Sequence, residues 1–353
     1  MAKNTKNLKT PFLTTLWSQL WFRVLIFTGG TLAALLVIIA LLNAFVFTPI
    51  KNPDYGASFS QKRAQELGID WKANFQALLD DLQLRRFRLM SYWDLHEMER
   101  GEFDFESLDW QMDEAAKRGA KVSLGMGLRQ PRWPECHQPA WADQLSGHEW
   151  KQALYAYMEI VAERYKNHPA LDSWQLENEG MNNWFGTCDP PDRQRLIEEF
   201  ALLKQWDPNH KIIMSLSDQH GLPLGKPVPD EYGFSVYRII WNDKVPPAGY
   251  VTYPTPIWYH RLRAAVIKAM HNRPIMIHEL QMEPWGPYDT SLLSIAEQDK
   301  SMSITQIPRV FKFARQLDIQ RIDLWGAEWW YWRKINGDPR IWEVVRYQLN
   351  QNR

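Results

Sequence analysis

Two glutamates stand out by their setting. Glu179 closes the run Trp174-Gln175-Leu176-Glu177-Asn178-Glu179, which is followed by Gly180 and a polar loop carrying Asn182, Asn183, Gly186 and Asp189. Asparagine favours turns and chain ends over strand interiors, so this run reads as a short buried strand ending in an Asn-Glu pair. One hundred positions on, Pro274-Ile275-Met276-Ile277-His278-Glu279 also ends in a glutamate, before a loop with Pro284 and Trp285. Two carboxyls at the tips of inner strands can flank a glycosidic bond, one protonating the leaving oxygen and one attacking the sugar. In a (β/α)8 barrel the C-terminal strand tips are where catalytic groups stand.

The rest of the chain supplies such a barrel. After residue 54, strand-like runs alternate with helix-like runs, as a parallel sheet with crossover helices requires. The strands are predicted at 56–60, 86–91, 121–126, 174–179, 211–215, 232–237, 274–279 and 321–325. Helices are predicted at 71–82, 108–118, 148–167, 192–205, 258–271 and 341–349, with another over 298–316 broken near Pro308. Phe75, Leu78, Leu79 and Leu82 share one face of the first, and Gly119 suits the end of the second. Eight strands in roughly 300 residues is a normal size for this α/β architecture. An open doubly wound sheet would want a Gly-rich turn after its first strand, and Ser58-Phe59-Ser60-Gln61 is not one.

The first fifty residues have a different character. Residues 24–50 carry no charge, and the run 24–47 is long enough to cross about 30 Å of hydrocarbon. Lys3, Lys6, Lys9 and Arg23 precede it and only Lys51 follows closely. The positive-inside rule then makes 1–23 a cytoplasmic segment, 24–47 a single-pass signal anchor, 48–54 a linker and 55–353 a barrel domain outside the cytoplasm. The competing reading is a cleaved signal peptide, but its apolar region is normally about 7–15 residues, and Asn43-Ala44-Phe45 is a poor cleavage site. The 353 residues hold 41 basic and 41 acidic side chains, a balance that gives no reason to expect nucleic acid as a partner. Nineteen tryptophans suit sugar stacking and large cores alike. The two cysteines, Cys136 and Cys188, fall in the loops after strands three and four. Those loops rise from one face as neighbours, so a bridge between them is expected in an exported domain.

The stretch Arg164-Tyr165-Lys166-Asn167-His168-Pro169, followed by Trp174-Gln175-Leu176-Glu177-Asn178-Glu179, resembles the fourth-strand region of the clan-A retaining glycoside hydrolases. That family includes cellulases, mannanases and β-galactosidases. Arg88-Leu-Met-Ser-Tyr-Trp93, Gly101-Glu-Phe-Asp-Phe105, Tyr237, Glu279 and Trp325 fall in the family's order, so the resemblance spans roughly residues 55–345. It implies Glu179 as acid/base, Glu279 as nucleophile, and a double displacement with the carboxyls about 5–5.5 Å apart. It implies substrate-site roles for Asn178, Tyr237, Trp325 and Arg88, the last also holding Glu279 ionised. Trp93 and Trp133 are further candidates for sugar contact, with packing as the equal alternative. Two departures stand out: Ser235 occupies a position that is often His, and Gly125-Met126-Gly127 ends the third strand where many members have a polar His.

The expected partners are therefore an oligo- or polysaccharide and, through the N-terminal helix, a membrane. No cofactor or metal is called for. Two alternatives share the barrel: a non-catalytic carbohydrate-binding protein, and an anchored transglycosylase. Strand parity adds two expectations, for His278 and Glu177, and loop position a third, for Glu283 and Glu328. His278 should point away from the pocket. Glu177 should face inward and pair with Arg86 beneath the catalytic layer. Glu283 and Glu328 read as ordinary loop acids.

Overall fold

The computed structural model describes residues 11–216, 221–244 and 246–351. Its strands are β1 (Asp54–Ser58), β2 (Arg86–Met90), β3 (Lys121–Met126), β4 (Leu171–Leu176), β5 (Lys211–Ser215), β6 (Glu231–Val236), β7 (Ile239–Asn242), β8 (Gly249–Thr252), β9 (Ile275–Gln281) and β10 (Arg321–Trp325). Eight of them close into a parallel barrel in the order β1-β10-β9-β6-β5-β4-β3-β2, while β7 and β8 pair as an antiparallel hairpin. The barrel strands are buried along nearly their whole length, because helices cover the outside and side chains fill the inside. Several of the covering helices are started by local caps. The Asp70 side chain accepts from two N–H groups at the start of Trp71–Asp80, Ser146 and Glu149 form a capping box on Gly147–Tyr165, and Asp192 caps Arg193–Trp206.

The eight predicted strands are all present, with shifts that have physical reasons. β4 stops at Leu176, because Glu177 and Glu179 take left-handed backbone (φ 52° and 45°) and turn the chain out of the sheet. β9 continues two residues past Glu279, because Leu280 and Gln281 find partners in Leu324 and Trp325 of β10. The helix expected over 298–316 is two helices, Ile295–Ser301 and Gln306–Arg315; Pro308 lies in the first turn of the second, where a missing N–H costs nothing. The β7–β8 hairpin and the helices Gln61–Glu66, Trp93–His96 and Ala327–Ile335 lie in segments for which no element was predicted.

The expected Glu177–Arg86 pair does not form. Once Glu177 leaves strand geometry its parity no longer applies. Its carboxylate lies over the end of β3, accepts from the N–H groups of Leu128 (2.7 Å) and Arg129 (2.8 Å), and pairs with Arg195 at 2.9 Å. Gly127 makes room for it: a Cβ there would come within 2.5 Å of the Glu177 carboxylate. Arg86 instead points to the N-terminal end of the barrel. It donates to Asp54 at 2.8 Å, to the main-chain oxygens of Asp54 and Ile322, and to the buried Asp323.

The helix Pro11–Ala44 precedes the barrel, and its stretch Trp21–Ala44 is long and apolar enough to span a membrane. The helix ends at Ala44, so the last three residues of the expected 24–47 span lie beyond it. Lys3, Lys6 and Lys9 lie outside the described residues. The chain then runs along the outside of the barrel to the start of β1. Trp258 donates to Asn43 at 2.8 Å, Arg261 to the Thr48 carbonyl at 3.2 Å, and the Ile50 N–H to the Arg315 carbonyl at 2.9 Å.

Removing one partner of a buried ion pair leaves the other charge desolvated and alone. Asp323→Ala should therefore destabilise the barrel by about 3 kcal/mol in urea unfolding. Asp323→Asn, which keeps one acceptor for Arg86, should cost less.

Candidate active site

At the C-terminal ends of the barrel strands, the loops enclose a cavity of about 840 Å³. Glu179 and Glu279 both line it, with Asn178, Tyr237, Trp133 and Trp325. The two glutamates arrive by different routes. Glu279 stands on β9, whereas Glu179 leaves β4 through the left-handed turn at 177–179, with its N–H donating to Ser215 on β5 at 2.7 Å.

Their surroundings differ in charge. Glu279 accepts from the Arg88 guanidinium at 2.9 Å on one oxygen and from the Tyr237 hydroxyl at 2.7 Å on the other. Among the described residues, Glu179 accepts from the Ser235 hydroxyl at 3.2 Å and the Asn182 amide at 2.6 Å. A cation in hydrogen-bond contact favours a carboxylate over a carboxylic acid more strongly than neutral donors do. Burial, reinforced by the charge of Glu279, raises the Tyr237 hydroxyl well above its ordinary range, so it stays a donor. Ser235, where the family often has His, thus serves Glu179.

Arg88 is fully buried beneath this layer and does not line the cavity. Its guanidinium reaches Gln175 (2.7 Å), Asn178 (2.8 Å), the His278 carbonyl (3.2 Å) and Ser58 (3.4 Å) besides Glu279. It positions the groups that face the cavity and does not itself meet a ligand. Because a guanidinium only donates, the oxygen of Asn178 faces Arg88 and its amide N–H groups face the cavity.

Two of the expected sugar contacts change. Trp93 is fully buried away from the cavity; it donates to Glu97 at 2.7 Å and stacks with Tyr157, because the short helix Trp93–His96 turns it back into the core. Trp325 does reach the cavity, but the Arg132 guanidinium sits 4.1 Å from its ring centroid and the residue is only 8% exposed. Little of that ring is open to a sugar. Trp133, 59% exposed, lines the rim as expected. It starts an arc of rings in which Phe185 meets Trp133 and Trp285, each at 5.8 Å, and Trp285 meets Tyr237 at 5.3 Å. Beside the arc, Trp184 is 78% exposed. His278 is buried and does not line the cavity. Glu283 and Glu328 are not free loop acids: both pair with Arg132, and Glu283 also lines the cavity.

The residue that sequence reasoning passed over is Glu135. It lines the cavity, is 3% exposed, and accepts from the Asn178 amide at 2.9 Å. Burial, helped by the charges of Glu279 and Glu179 and opposed by the Asn178 hydrogen bond and the charge of Arg129, pushes its carboxyl up to about 8. A signal for it was present in its adjacency to Cys136, since the expected bridge brings that loop beside the Asn178 loop. The bridge is there: Cys136 and Cys188 are joined, with Cα atoms 5.4 Å apart. Among the described residues no group of His, Cys, Asp and Glu side chains is arranged to hold a metal.

Residues 70–201 match the family described as Glyco_hydro_42, Beta-galactosidase, a segment that includes Arg88, Glu135, Asn178 and Glu179 and ends before Glu279. No curated protein matches the chain. Among solved structures, the exo-β-1,4-mannosidase Op5Man5 from Opitutaceae bacterium strain TAV5 aligns with a TM-score of 0.56 at 13% identity, over 87% of this chain and 62% of that one. GH5_18 from Streptomyces cattleya, solved with GlcNAc, aligns with a TM-score of 0.54 at 12% identity, over 79% and 71%. A glycosylated endo-β-1,4-xylanase from Gloeophyllum trabeum gives 0.52 at 12% identity, over 84% and 96%. At these identities the structural likeness is one of fold. That fold is the closed eight-stranded parallel barrel, within which residues 70–201 carry the segment match.

The raised Glu135 carboxyl has a consequence for stability. The folded state holds a proton there that the unfolded chain releases near pH 4.3, so its contribution is full below that pH and is lost as pH rises towards about 8. Glu135→Gln should therefore become more stable than the parent over this window, the gap widening by up to about 1.4 kcal/mol per pH unit. Urea melts at several pH values measure it, and parallel pH profiles would contradict the assignment.

Proposed function

We propose that the protein is a membrane-anchored, extracytoplasmic retaining glycosidase that cleaves a β-linked glycan with Glu179 and Glu279. The observation that carries the reading is the pair of carboxyls in one cavity, with Glu279 held by the Arg88 guanidinium and the Tyr237 hydroxyl. Glu279 attacks the anomeric carbon while Glu179 protonates the departing oxygen, giving a glycosyl-enzyme ester. Glu179, now ionised, takes a proton from water, which releases the sugar and restores Glu279. Asn178 offers its amide to the C2 substituent, a contact that strengthens in the transition state. The exposed aromatic arc from Trp133 to Trp285 supports binding of further sugar units by stacking.

Activity on aryl β-glycosides tests the two roles. Glu279→Ala should lose essentially all turnover. Glu179→Ala should lose least on glycosides with good leaving groups, which need little protonation. Azide should rescue both, giving a β-glycosyl azide with Glu179→Ala and the α-anomer with Glu279→Ala. Parent-like turnover of Glu279→Ala would end the assignment.

The apolar helix and the disulfide support an anchored domain on the oxidising side of the membrane. Protease added outside intact cells should reach the barrel, and cleavage within residues 51–55 should release it as a soluble fragment. A barrel protected until the cells are opened would reverse the orientation.

A further inference from the structure

The double displacement leaves two buried carboxyls of the cavity unused, Glu283, which pairs with Arg132, and Glu135, which has no such partner at hydrogen-bond distance. Glu135 sits on its loop in left-handed backbone, φ 73°, a conformation that costs a non-glycine residue about 1 kcal/mol or more. The surroundings hold it there. Its N–H donates to the Arg132 carbonyl and its own carbonyl accepts from the Gln130 N–H, both at 2.8 Å. Gly186 packs so closely that a Cβ there would lie 2.8 Å from the Glu135 Cβ, and the adjacent Cys136 ties the two loops together. Strain maintained by this much support is characteristic of functional sites.

The direction of the carboxyl is equally constrained. Asn178 must turn its amide away from Arg88, and that amide bonds the Glu135 Oε2. Glu135 therefore stands beside the one donor that faces the C2 substituent of a bound sugar. Its charge is poorly matched by protein. The Arg129 guanidinium is 4.0 Å away and spends hydrogen bonds on the carbonyls of Asn178 and Phe185. The two arginines of the cavity wall are committed elsewhere, Arg63 to Asp289 and Glu66, Arg132 to Glu283 and Glu328. A buried carboxylate without a close cation is costly, and a ligand cation removes that cost.

We propose that Glu135 reads the C2 position of the sugar held between Glu179 and Glu279, and that this sugar is a 2-amino-2-deoxyhexose whose ammonium pairs with the Glu135 carboxylate. The assignment of the C2 position rests on the glycosidase reading above. An ammonium at C2 supplies the missing counter-charge and still donates to nearby acceptors. A 2-hydroxyl meets the protonated acid and gains only a neutral hydrogen bond. A 2-acetamido group carries no charge and adds bulk beside Gly186 and Asn178.

The test uses the full-length protein in detergent with matched aryl β-glycosides, in the gluco and galacto series, bearing 2-amino, 2-hydroxy or 2-acetamido groups. The parent should favour the 2-amino glycoside over its 2-hydroxy counterpart by about tenfold or more in kcat/KM. Glu135→Gln should collapse that ratio by about tenfold, whereas Glu135→Asp should retain part of it. Retention of the Cys136–Cys188 bridge and of cooperative urea unfolding checks that both variants fold. A parent that prefers the 2-hydroxy or 2-acetamido glycoside overturns the proposal, as does a Glu135→Gln variant that loses all three activities in equal proportion. If no glycoside is turned over, the glycosidase reading fails, and calorimetry with chitosan and cello-oligosaccharides then decides. Tighter chitosan binding that weakens about tenfold in Glu135→Gln upholds the ammonium pairing, and equal binding of the two sugars refutes it.

Discussion

Arg88 carries its charge in a fully buried position near the upper end of the barrel, tolerated because acceptors surround it: Glu279, Asn178, Gln175, Ser58 and the His278 carbonyl. The guanidinium stands on β2, and its partners come from β1, from β4 and the turn that follows it, and from β9. One planar fork therefore fixes the orientation of the Glu279 carboxylate, the amide of Asn178 and, through that amide, the Oε2 of Glu135. Every polar group that a ligand would meet near Glu279 is set by this cation or by something bonded to it.

The same device recurs at other levels of the barrel. At the N-terminal end, Arg86 pairs with Asp54 and Asp323, and Arg321 with Glu231 and Asp172. Above the strand tips, Arg132 joins Glu283 to Glu328 and lies on Trp325. Beside β4, Arg195 holds Glu177 and Glu199 together. In each case arginine suits the place because its fork meets two or more acceptors at once and stays ionised when buried. The acids are arranged to satisfy these cations, with Glu135 the marked exception.

Loop chemistry then decides what the cavity presents. The disulfide joins the loop after β3 to the loop after β4 and brings Trp133 and Glu135 against Phe185 and Gly186. Glycine at 127 admits the Glu177 carboxylate over the end of β3, which in turn secures the start of that loop through two main-chain N–H groups. The departures from the common family pattern at Ser235 and Gly127 are thus each tied to a local contact, one to Glu179 and one to Glu177.

The barrel itself was legible in the sequence. Alternating apolar runs and amphipathic segments depend on local periodicity, and all eight strands lie within a few residues of their predicted positions. The Cys136–Cys188 bridge was legible too, because the order of loops around a barrel follows from the order of strands. Glu179, Glu279, Asn178, Tyr237 and Trp133 could be nominated as cavity residues because each falls at a recognisable place along that order. Parity failed at Glu177, since two left-handed residues end β4 early, and no periodicity in the run announces them. For Trp93 and Trp325 the sequence left the partner open, because stacking on a sugar and stacking on protein require the same residue type. Which partner reaches the ring is decided by chain segments far apart in sequence, Tyr157 for the first and Arg132 for the second. Glu135 was the hardest to see: its burial, its bond to Asn178 and its lack of a close cation come from three separate loops and strands. Local pattern determined the elements and their order; only the closed barrel, by bringing distant charges within 3 Å of each other, decided which carboxyls are neutralised and which are left for a ligand.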